Sequence, residues 1–518
     1  MNVRRMARLC ALVVVVGLGG CGGGGGGGSP GPAGSVSGTV SYDDVPNVNG
    51  GLAYNAIVSK PVRGAGVDIV DASSGAVLAS TETDDNGNYS VQMPGQALVT
   101  VRVRAQLARS AARGASWDVA VRDNTQGNAL YSMESPSFAP SGNTTRDLHA
   151  PSGWDGSGYS GARVAGPFAI LDTVYTAMNK VLSVAPSTSF PSLRLYWSPR
   201  NVPARGQVSL GQIGTTSFVA STSGAVIYVL GAEGVDTDEF DASVIAHEWG
   251  HYYQNAFSRD DSPGGSHDLD ELIDQRLAFS EGWGNAWSGI ALARQNYTDS
   301  QGPGQGAGVN MDLAATPSGR AGWYREASVQ SILWNLNNRF GYGGIHAAMT
   351  GGLRSTPALT TIHAFAAAYA GAQPQHQGDL SSLLVGQAIS GAFDPWGALE
   401  GNNGATPLSL PLYHLMTGPS ATVCVTNQND PDGEGNKLGS FSFLRVTVPN
   451  AGSHQISVSG PPGSDPDFYV FAGNRLAASE GVGTSEVASV GLPAGEVVLA
   501  VNDANNTSSN TCLDVSIN

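Results

Sequence analysis

The sequence predicts a multidomain protein in which an α+β core is flanked by two β-sandwich domains. Three observations indicate this arrangement: alternating apolar runs separated by turn clusters near the start, longer helical segments in the middle, and a return to alternating runs near the end. The chain has 518 residues, which is enough for roughly two to four domains. Its 70 glycines indicate many turns and short strands.

The charge of the chain excludes one class of partner. Charged residues make up 13% of the sequence, and the formal net charge is −16. Such a surface has no excess of Lys and Arg with which to neutralise phosphates, so nucleic acid is not expected as a partner. An acidic surface of this kind fits a soluble, secreted protein.

The first residues have the pattern of an export signal. Three arginines (Arg4, Arg5 and Arg8) flank the start of the apolar run LCALVVVVGL, which is too short to span a membrane as a mature helix. Residues 1–20 therefore predict a signal peptide. The glycine-rich residues 21–35 cannot pack into a core and predict a flexible tether.

The apolar run ends in LGGC, which resembles the processing site of bacterial lipoproteins. The resemblance implies cleavage before Cys21 and a lipid on its thiol. Because position 22 is glycine rather than aspartate, it also implies an anchor at the outer membrane of a Gram-negative cell, with the protein at the cell surface or in the periplasm. The alternative is a plain secretory signal in which Cys21 is incidental.

Residues 36–105 show the alternation of β-strands. GAGVDIVDA and ALVTVRVRA are two of the apolar runs, and turn clusters such as DDNGNY separate them. The region resembles the transthyretin-like, carboxypeptidase-regulatory β-sandwich that is often fused to secreted enzymes. DDNGN also opens like a calcium-binding loop, but no glutamate stands at its twelfth position, so we interpret it as a turn. Residues 106–160 predict either a linker or the start of the core.

Residues 161–416 have the mixed pattern of an α+β core. AGPFAILDTVYTAMNKVLS carries apolar residues at helical spacing, LRLYW and GAVIYVLG are strands, and longer helical segments follow Asp236. GAVIYVLG (Gly224 to Gly231) has the character of an edge strand that could pair with an extended peptide.

Residues 417–518 return to alternating strands, such as SHQISVSG and EVVLAVNDA. The stretch DPDFYVF (Asp465 to Phe471) resembles the prepeptidase C-terminal type of β-sandwich, a module that accompanies secreted peptidases. Cys424 and Cys512 lie near the two ends of this region. An even pair of cysteines in an oxidising compartment predicts a disulfide, and two buried thiols are the alternative.

The stretch AHEWGHYYQ carries two histidines four residues apart. Residues at this spacing lie on one face of a helix, so His247 and His251 can direct their imidazoles at one metal ion. Glu248 lies close enough to take a proton from water at that ion. Phe240 and Val244 continue the same stripe, which predicts that the histidines face inward. Two histidines on an ordinary helix are the alternative.

A second helical stretch, RLAFSEGWGNAWSGI, offers Glu281 as a third donor. Together the two stretches resemble the gluzincin superfamily, most closely the fungalysin and thermolysin families. The resemblance implies a zincin-like core that binds Zn²⁺ through His247, His251 and Glu281. Four positions after the glutamate those families have an acidic residue, whereas this chain has Asn285. The amide oxygen of Asn285 can still accept a hydrogen bond, but the negative charge of the acidic residue is lost. Gly250, in the middle of the first helix, predicts close approach of another backbone.

The segment between His251 and Glu281 is longer than in thermolysin-like enzymes and is rich in acids. We interpret it as a solvated loop, with a calcium (Ca²⁺) site or a rim over the cleft as alternatives. His267 within it is interpreted as a surface histidine rather than a metal ligand. The acidic residues of the loop are Asp260, Asp261, Asp268, Asp270, Glu271 and Asp274.

A peptidase of this kind needs a donor for the developing oxyanion. In aminopeptidase-like gluzincins a tyrosine before a similar helix has that role, and GWYREASVQSILWNL places Tyr324 there. Packing in the core is an equally frequent role for such an aromatic residue. His346 and His363 are further candidates, since thermolysin-like enzymes use a histidine, although each alone fits a structural role.

Together these patterns predict an exported, lipid-anchored, zinc-dependent metallopeptidase that hydrolyses peptide bonds of a peptide or protein substrate. Glu248 would activate the attacking water, and the lipid on Cys21 would be the contact with the membrane. The aminopeptidase signature GxMEN does not occur in the sequence, so an endopeptidase is expected. The alternative is a surface-binding lipoprotein in which the two β-sandwiches bind and the zinc core is structural or inactive.

Overall fold

A computed structural model describes residues 34–93, 97–111, 114–221, 224–506 and 510–518. The organisation is multidomain, with β-sheets toward both ends of the chain and a mixed helical and β region between them. The predicted signal peptide and Cys21 lie outside the described residues. Among the residues that are described, no helix combines the length and the apolar composition that a membrane span requires.

Alternating apolar residues build fourteen strands between residues 35 and 150. They are β1 (Ser35–Asp44), β2 (Asn47–Val48), β3 (Gly51–Leu52), β4 (Val58–Pro61), β5 (Gly66–Asp71), β6 (Val77–Glu82), β7 (Asn88–Gln92), β8 (Val99–Arg104), β9 (Gln106–Arg109), β10 (Trp117–Asp123), β11 (Ala129–Leu130), β12 (Ser132–Glu134), β13 (Thr144–Thr145) and β14 (Leu148–Ala150).

Two sheets formed by these strands make a β-sandwich-like domain. In one sheet β1 pairs with β4, β7, β13 and β14, and the other has the order β12-β8-β5-β6. Buried side chains of both sheets, such as Val40 on β1 and Ile69 on β5, belong to one hydrophobic cluster. β9, β10 and β11 lie in a different sheet, described below. Residues 106–160 thus contribute strands both to this domain and to the central region.

The central region combines helices with strands. Its elements are α1 (Ala165–Leu182), β15 (Leu193–Trp197), β16 (Ser217–Ser221), β17 (Gly224–Val229), β18 (Gly231–Ala232), β19 (Asp236–Thr237), α2 (Ala242–Phe257), α3 (Gln275–Leu292), β20 (Asn296–Gln301), β21 (Ala307–Asp312), α4 (Glu326–Phe340), α5 (Tyr342–Ala348), α6 (Ile362–Ala372) and α7 (Gln377–Gly386).

The central six-stranded sheet has the order β11-β10-β15-β17-β16, with β9 paired to β10. β10, β15 and β17 are parallel, whereas β16 runs antiparallel to β17. β17 therefore has a partner on each side, and the interpretation of GAVIYVLG as an edge strand is wrong. The edge is β16, which folds back on β17. The apolar pattern of one strand does not reveal which neighbours it will pair with.

The last region consists of nine strands. They are β22 (His414–Met416), β23 (Ser420–Val425), β24 (Phe441–Val448), β25 (Gly452–Ser459), β26 (Pro466–Ala472), β27 (Asn474–Ser479), β28 (Ser485–Leu492), β29 (Gly495–Asp503) and β30 (Thr511–Ile517). Two sheets result, with the orders β22-β24-β29-β26-β27 and β23-β30-β25-β28. Their inward residues share one apolar cluster, for example Leu499 of the first sheet and Val458 of the second, which makes this domain a β-sandwich.

The predicted disulfide between Cys424 and Cys512 is confirmed. The two cysteines stand opposite each other on the antiparallel strands β23 and β30, with Cα atoms 3.9 Å apart. The bond joins positions 88 residues apart, and closing a loop of that length contributes roughly 4 to 5 kcal/mol on the chain-entropy model.

Asp467 on β26 lies among other carboxylates of this domain. Burial raises its pKa to about 7, and the charges of Asp465 and Glu480 add to the shift. A carboxyl group whose pKa is higher in the folded than in the unfolded state stabilises the fold while it is protonated. Its contribution is complete below the unfolded value of about 4 and is lost as the pH rises through about 7.

We expect Asp467→Asn, which resembles the protonated carboxyl group, to raise the Tm above that of the wild type at pH 8 by on the order of 2 °C. At pH 4 the two proteins should unfold at nearly the same temperature. Thermal unfolding followed by circular dichroism measures both differences. Asp432→Asn, in an exposed turn, serves as the control for the loss of a carboxylate at the surface. An equal effect of Asp467→Asn at pH 4 and pH 8 would contradict the prediction.

Candidate metal site

The side chains of His247, His251 and Glu281 converge at one point. The two histidines lie one turn apart on α2, and α3 packs alongside and supplies the glutamate. The Nε2 atoms of the histidines are 3.0 Å apart, and Glu281 Oε2 lies 3.2 Å from His247 Nε2 and 3.5 Å from His251 Nε2. Two imidazoles and one carboxylate at this spacing are a donor set that suits a zinc ion.

Hydrogen bonds orient both imidazoles. Asn285 Oδ1 lies 2.9 Å from His247 Nδ1, and Ser280 Oγ lies 3.3 Å from His251 Nδ1. Ser280 in turn donates to Asp260 Oδ2 at 3.0 Å, so its oxygen is free to accept from the imidazole. When an imidazole is neutral, an acceptor at its Nδ1 keeps the proton there and leaves the Nε2 lone pair directed at the convergence point.

α2 and α3 cross at two glycines. A Cβ on Gly284 would lie 2.7 Å from Cε1 of the His247 ring, and a Cβ on Gly250 would lie 3.3 Å from Gly284 Cα. Trp283 Nε1 donates to the Gly250 carbonyl oxygen at 2.8 Å. The close approach of another backbone that Gly250 predicts is confirmed, and that backbone belongs to α3.

The charges of the three converging groups depend on one another. Burial alone would lower the pKa of His251, but the Glu281 carboxylate raises it to about 9. Burial would raise the pKa of Glu281, yet the charge of His251 and hydrogen bonds from the two histidines hold it well below its usual range. A metal cation competes with protons for these same donor atoms, since binding of a metal to imidazole requires the neutral ring.

Glu248 lies in the same cleft as these three residues and is 9% exposed. Its Oε2 accepts a hydrogen bond of 2.6 Å from the backbone N–H of Phe218 on the edge strand β16. Burial raises the pKa of Glu248, and the charges of His247 and His251 act in the opposite direction. A carboxylate with a raised pKa is a better proton acceptor near neutral pH than a solvated one.

The cleft has a volume of about 1460 Å³, which exceeds the roughly 300 to 1,000 Å³ of pockets that enclose small ligands. β16 forms one wall, residues 260–270 form another, and side chains of β20 and β21 complete it. The cleft therefore has room for a ligand larger than a typical metabolite.

Three aspartates converge in another part of the cleft. One carboxylate oxygen of each of Asp236, Asp238 and Asp299 lies within 4.8 Å of the others. Burial raises the pKa of Asp236 to about 7, and the charge of Asp299 adds to the shift. Asp238, which is 2% exposed, accepts a hydrogen bond from Thr216. The grouping favours ligands that carry positive charge.

Tyr324 lies away from the cleft. It is 1% exposed, and its hydroxyl donates to Asn402 Oδ1 at 2.8 Å and lies 3.2 Å from the Ala321 carbonyl oxygen. The geometry does not place Tyr324 where an oxyanion donor must be. An aromatic residue before a helix can turn toward the core as well as toward a site, and here it packs against Trp323.

The two histidines considered beside Tyr324 also lie elsewhere. His346 Nδ1 is 2.7 Å from the Tyr253 hydroxyl, and His363 Nε2 is 2.9 Å from Glu400 Oε2. Both pairs are outside the cleft lining.

His267 lines the cleft together with His247 and His251, so it does not lie on the outer surface as expected, whereas the expectation that it is not a metal ligand stays a prediction. Its Nε2 lies 3.5 Å from Glu281 Oε2 and 3.4 Å from Oε2 of Glu326, the first residue of α4. Burial would lower the pKa of His267, but hydrogen bonds to these two glutamates raise it to about 11. Two features of the sequence could have indicated that His267 lies in the cleft. The chain has only nine histidines, and His267 lies between His251 and Glu281.

The acidic loop forms one wall of the cleft, which favours the alternative of a rim over the interpretation as a merely solvated loop. Several of its carboxylates form ion pairs with basic side chains instead of grouping around one point. A calcium site in this loop, the other alternative, stays a prediction. The pairs are Asp261 with Arg259, Asp270 with Arg325, Glu271 with Lys437 and Asp274 with Arg276.

No protein-family model and no curated protein matches the chain. Among solved structures, it is similar to the pre-peptidase C-terminal domain of a collagenase from Bacillus anthracis, at 15% identity and a TM-score of 0.17, over 20% of this chain and 94% of that one. It is also similar to CorA, a surface-associated copper-binding protein of Methylomicrobium album BG8, at 8% identity and a TM-score of 0.18, over 20% and 97% of the two chains. A third is the periplasmic lysozyme inhibitor PliG of Aeromonas hydrophila, at 13% identity and a TM-score of 0.14, over 20% and 96%. At these TM-scores the similarities carry no argument about function.

We expect Gly284→Ala to weaken zinc binding by about 10- to 100-fold, because its Cβ would displace the His247 ring. Competition with a chromogenic chelator measures the affinity, and circular dichroism checks that the helices remain. Gly371→Ala, on α6, is the matched control, since a Cβ there meets no atom within 4 Å. Wild-type affinity in Gly284→Ala would show that the glycine does not set the position of the ligand.

Proposed function

We propose that this protein is a zinc-dependent metallopeptidase with a gluzincin-like, zincin-type core, and that it acts as an endopeptidase. The observation that carries the proposal is the convergence of His247, His251 and Glu281 beside Glu248 in a large cleft. The donor set, the acceptors at both Nδ1 atoms and the open side of the cleft fit a catalytic rather than a closed structural zinc site.

A bound zinc ion supplies Lewis acidity, which polarises a carbonyl group and makes water more acidic. The protein residues do the rest. Glu248 takes a proton from the water that attacks the scissile carbonyl carbon, and it passes this proton to the leaving amine as the C–N bond breaks. Its hydrogen bond from Phe218 fixes the carboxylate beside the ligands.

The edge strand β16 supports an extended peptide as the substrate. The N–H of Phe218 points toward Glu248 and away from β17. Because backbone groups alternate in direction along an antiparallel strand, the N–H and C=O of Ala220, two residues later, also point away from β17. A substrate strand could pair with these groups, as in other cases of β-strand addition. Because the volume of the cleft exceeds that of pockets that enclose small ligands, internal bonds of longer peptides are the expected targets.

The alternative, a surface-binding lipoprotein with a structural or inactive zinc core, makes a different prediction. It requires the metal to be retained while no peptide is cleaved. Zinc content and hydrolysis of casein, measured on the same preparation lacking residues 1–21, distinguish the two functions.

We expect three substitutions to separate by role. His251→Ala and Glu281→Ala each remove a ligand, so zinc and activity should fall together. Glu248→Gln keeps the size of the side chain but cannot accept a proton, so zinc should stay while turnover falls by about 10²- to 10⁴-fold. Metal analysis and the rate of casein hydrolysis measure these effects.

Glu82→Gln, exposed on β6, is the matched control for the loss of a carboxylate and should behave as the wild type. Full zinc affinity in Glu281→Ala would contradict the assignment of Glu281 as the third ligand. Wild-type turnover in Glu248→Gln on every peptide would overturn the general base and favour the surface-binding alternative.

The lipid anchor at the outer membrane remains a proposal that rests on LGGC. Replacing Cys21 by Ser removes the thiol that would carry the lipid. We expect Cys21→Ser to move nearly all of the protein from the membrane fraction to the soluble fraction, as shown by fractionation and immunoblotting. A variant that stays in the membrane fraction would refute the anchor.

A further inference from the structure

A second set of donor atoms adjoins the candidate metal site. One donor atom from each of His267, Glu281 and Glu326 lies within 4.8 Å of the other two. Glu281 also belongs to the set formed with His247 and His251, and among the described residues it is the one that the two sets share. Its carboxylate therefore lies between two groups of donors, one on α2 and one contributed by the acidic loop and the start of α4.

The distances within the second set are longer than those of a normal hydrogen bond and match those between metal ligands. His267 Nε2 lies 3.5 Å from Glu281 Oε2 and 3.4 Å from Glu326 Oε2. Two donors that each lie about 2.0 to 2.1 Å from a tetrahedral zinc ion are about 3.3 to 3.4 Å apart. A protonated imidazole that donates to a carboxylate would instead lie about 2.7 to 2.9 Å from it.

Histidines that pair with a carboxylate away from the cleft do adopt the shorter distance. In the described part of the chain, His149 Nε2 lies 2.9 Å from Asp43 Oδ1, and His363 Nε2 lies 2.9 Å from Glu400 Oε2. The first pair is more exposed than the pairs at the cleft and the second is more deeply buried. Burial therefore does not explain the wider separation at the cleft, whereas room for an ion between the donors does.

The ring of His267 is oriented in the same way as the two rings of the first set. Its Nδ1 lies 3.1 Å from the carbonyl oxygen of Gly265, which can only accept a hydrogen bond. His247 and His251 likewise have an acceptor at Nδ1. Metal-binding histidines almost always donate this N–H to an acceptor, which fixes the ring. In the neutral ring the Nε2 lone pair of His267 is directed toward the two carboxylates, where a cation replaces the proton.

Glu326 is a deeply buried carboxylate. It is 4% exposed at the start of α4, and in the described part of the chain His267 is its ion-pair partner. A buried carboxylate is costly unless a cation or hydrogen bonds compensate it, and a separation of 3.4 Å is long for a hydrogen bond. A cation between the three side chains would supply this compensation.

The loop that carries His267 is held in place by the C-terminal domain. Asn436 Nδ2 donates to the carbonyl oxygens of Gly264 and Ser266 at 2.9 and 3.0 Å, and Lys437 Nζ donates to the latter at 2.7 Å. Asn436 and Lys437 are 1% and 4% exposed, so these contacts are shielded from water. The backbone next to the histidine is therefore fixed without an ion, which lowers the entropic cost of binding one.

We propose that His267, Glu281 and Glu326 hold a second zinc ion, and that the carboxylate of Glu281 bridges it to the ion held by His247 and His251. An imidazole among the donors disfavours calcium and magnesium, which take oxygen ligands. The inference deepens the proposed function, since it rests on zinc at the first set, but it does not require peptide hydrolysis. It replaces the expectation from the sequence that His267 is not a metal ligand.

Titration calorimetry of the metal-free protein with zinc sulfate tests the number of ions. The wild type should bind two ions per chain. His267→Ala and Glu326→Gln should each bind one, because the first set keeps all three of its donors. Glu281→Ala should lose both ions at zinc concentrations that saturate the wild type, because each set loses a donor. Circular dichroism checks that each variant is folded.

Matched controls come from parts of the chain away from the cleft. His149→Ala breaks a His–Asp pair in the N-terminal domain, and Glu82→Gln removes an exposed carboxylate on β6. Both variants should bind two ions per chain with the affinities of the wild type.

X-ray absorption at the zinc edge distinguishes a shared carboxylate from a second ion bound elsewhere. The wild type loaded with two equivalents of zinc should show a zinc–zinc distance of about 3.5 to 4 Å, as in other two-metal sites. His267→Ala loaded in the same way should lack this distance, because it holds the first ion alone at this centre.

Several outcomes would overturn the inference. One ion per wild-type chain would leave His267 as a protonated partner of the two glutamates. Two ions in either His267→Ala or Glu326→Gln, or no zinc–zinc distance in the wild type, would place the second ion elsewhere. Loss of a single ion in Glu281→Ala would contradict the bridge.

The proposed function fails separately from this inference. Two ions per chain at the expected zinc–zinc distance without hydrolysis of casein would overturn the peptidase and leave the second zinc site standing. One ion per chain with hydrolysis of casein would overturn the second site and leave the peptidase standing.

Discussion

The helices that carry the three converging donor residues approach each other at a pair of glycines, Gly250 and Gly284, and the imidazole of His247 occupies the space that a side chain on Gly284 would need. This close crossing brings Glu281 to the two histidines. Around it, stacked aromatic rings fill the interface, with Trp249 against Trp287 at 5.3 Å and Tyr253 against Trp287 at 5.5 Å between ring centroids. Small residues at the crossing point and large ones beside it set the distance between α2 and α3. Closely packed aromatic rings resist even small displacements, so this distance is well defined.

The two flanking domains contact the core close to this crossing. Asn47 of the N-terminal domain donates to Asp241, the residue that precedes α2, at 2.5 Å, and Ser300 on β20 donates to the same carboxylate. At the opposite side, Asn436 and Lys437 hold the acidic loop. The start of α2 and one wall of the cleft therefore depend on parts of the chain that lie far from them in sequence.

The parts of the site that sequence could predict are those set by local geometry. The facing of His247 and His251 follows from helical periodicity, whereas Glu281 and Asn285 were expected only from the resemblance of the second helical stretch to gluzincins. Tyr324 and His267 show the limit. Whether a residue before a helix or within a loop faces a cleft depends on the groups that bind it or its neighbours, such as Asn402 and Lys437. The periodicity of the sequence does not predict these contacts.

The same distinction applies to the fold. The alternation of apolar residues predicts strands at both ends of the chain, and two β-sandwich-like domains are found there. Strand pairing is not local, however: β10 joins β15 in the central sheet, while β12, nine residues after it, returns to β8 in the N-terminal domain. A hydrophobic pattern identifies a strand but not its partner. For this reason the sequence predicted neither the sheets to which the strands of residues 106–160 belong nor that β16 is the edge strand.

The long sequence separation of the loop from its anchor has a consequence for the timing of assembly. Asn436 follows Gly264, whose carbonyl oxygen it binds, by 172 residues. A chain that is made from its N-terminus contains both histidines and Glu281 well before it contains the residues that fix the loop. The three converging donors could therefore come together while the chain is still incomplete, whereas the wall of the cleft that the loop forms is fixed only after the last domain has folded. The chain thus assembles the centre of the cleft first and closes its shape last.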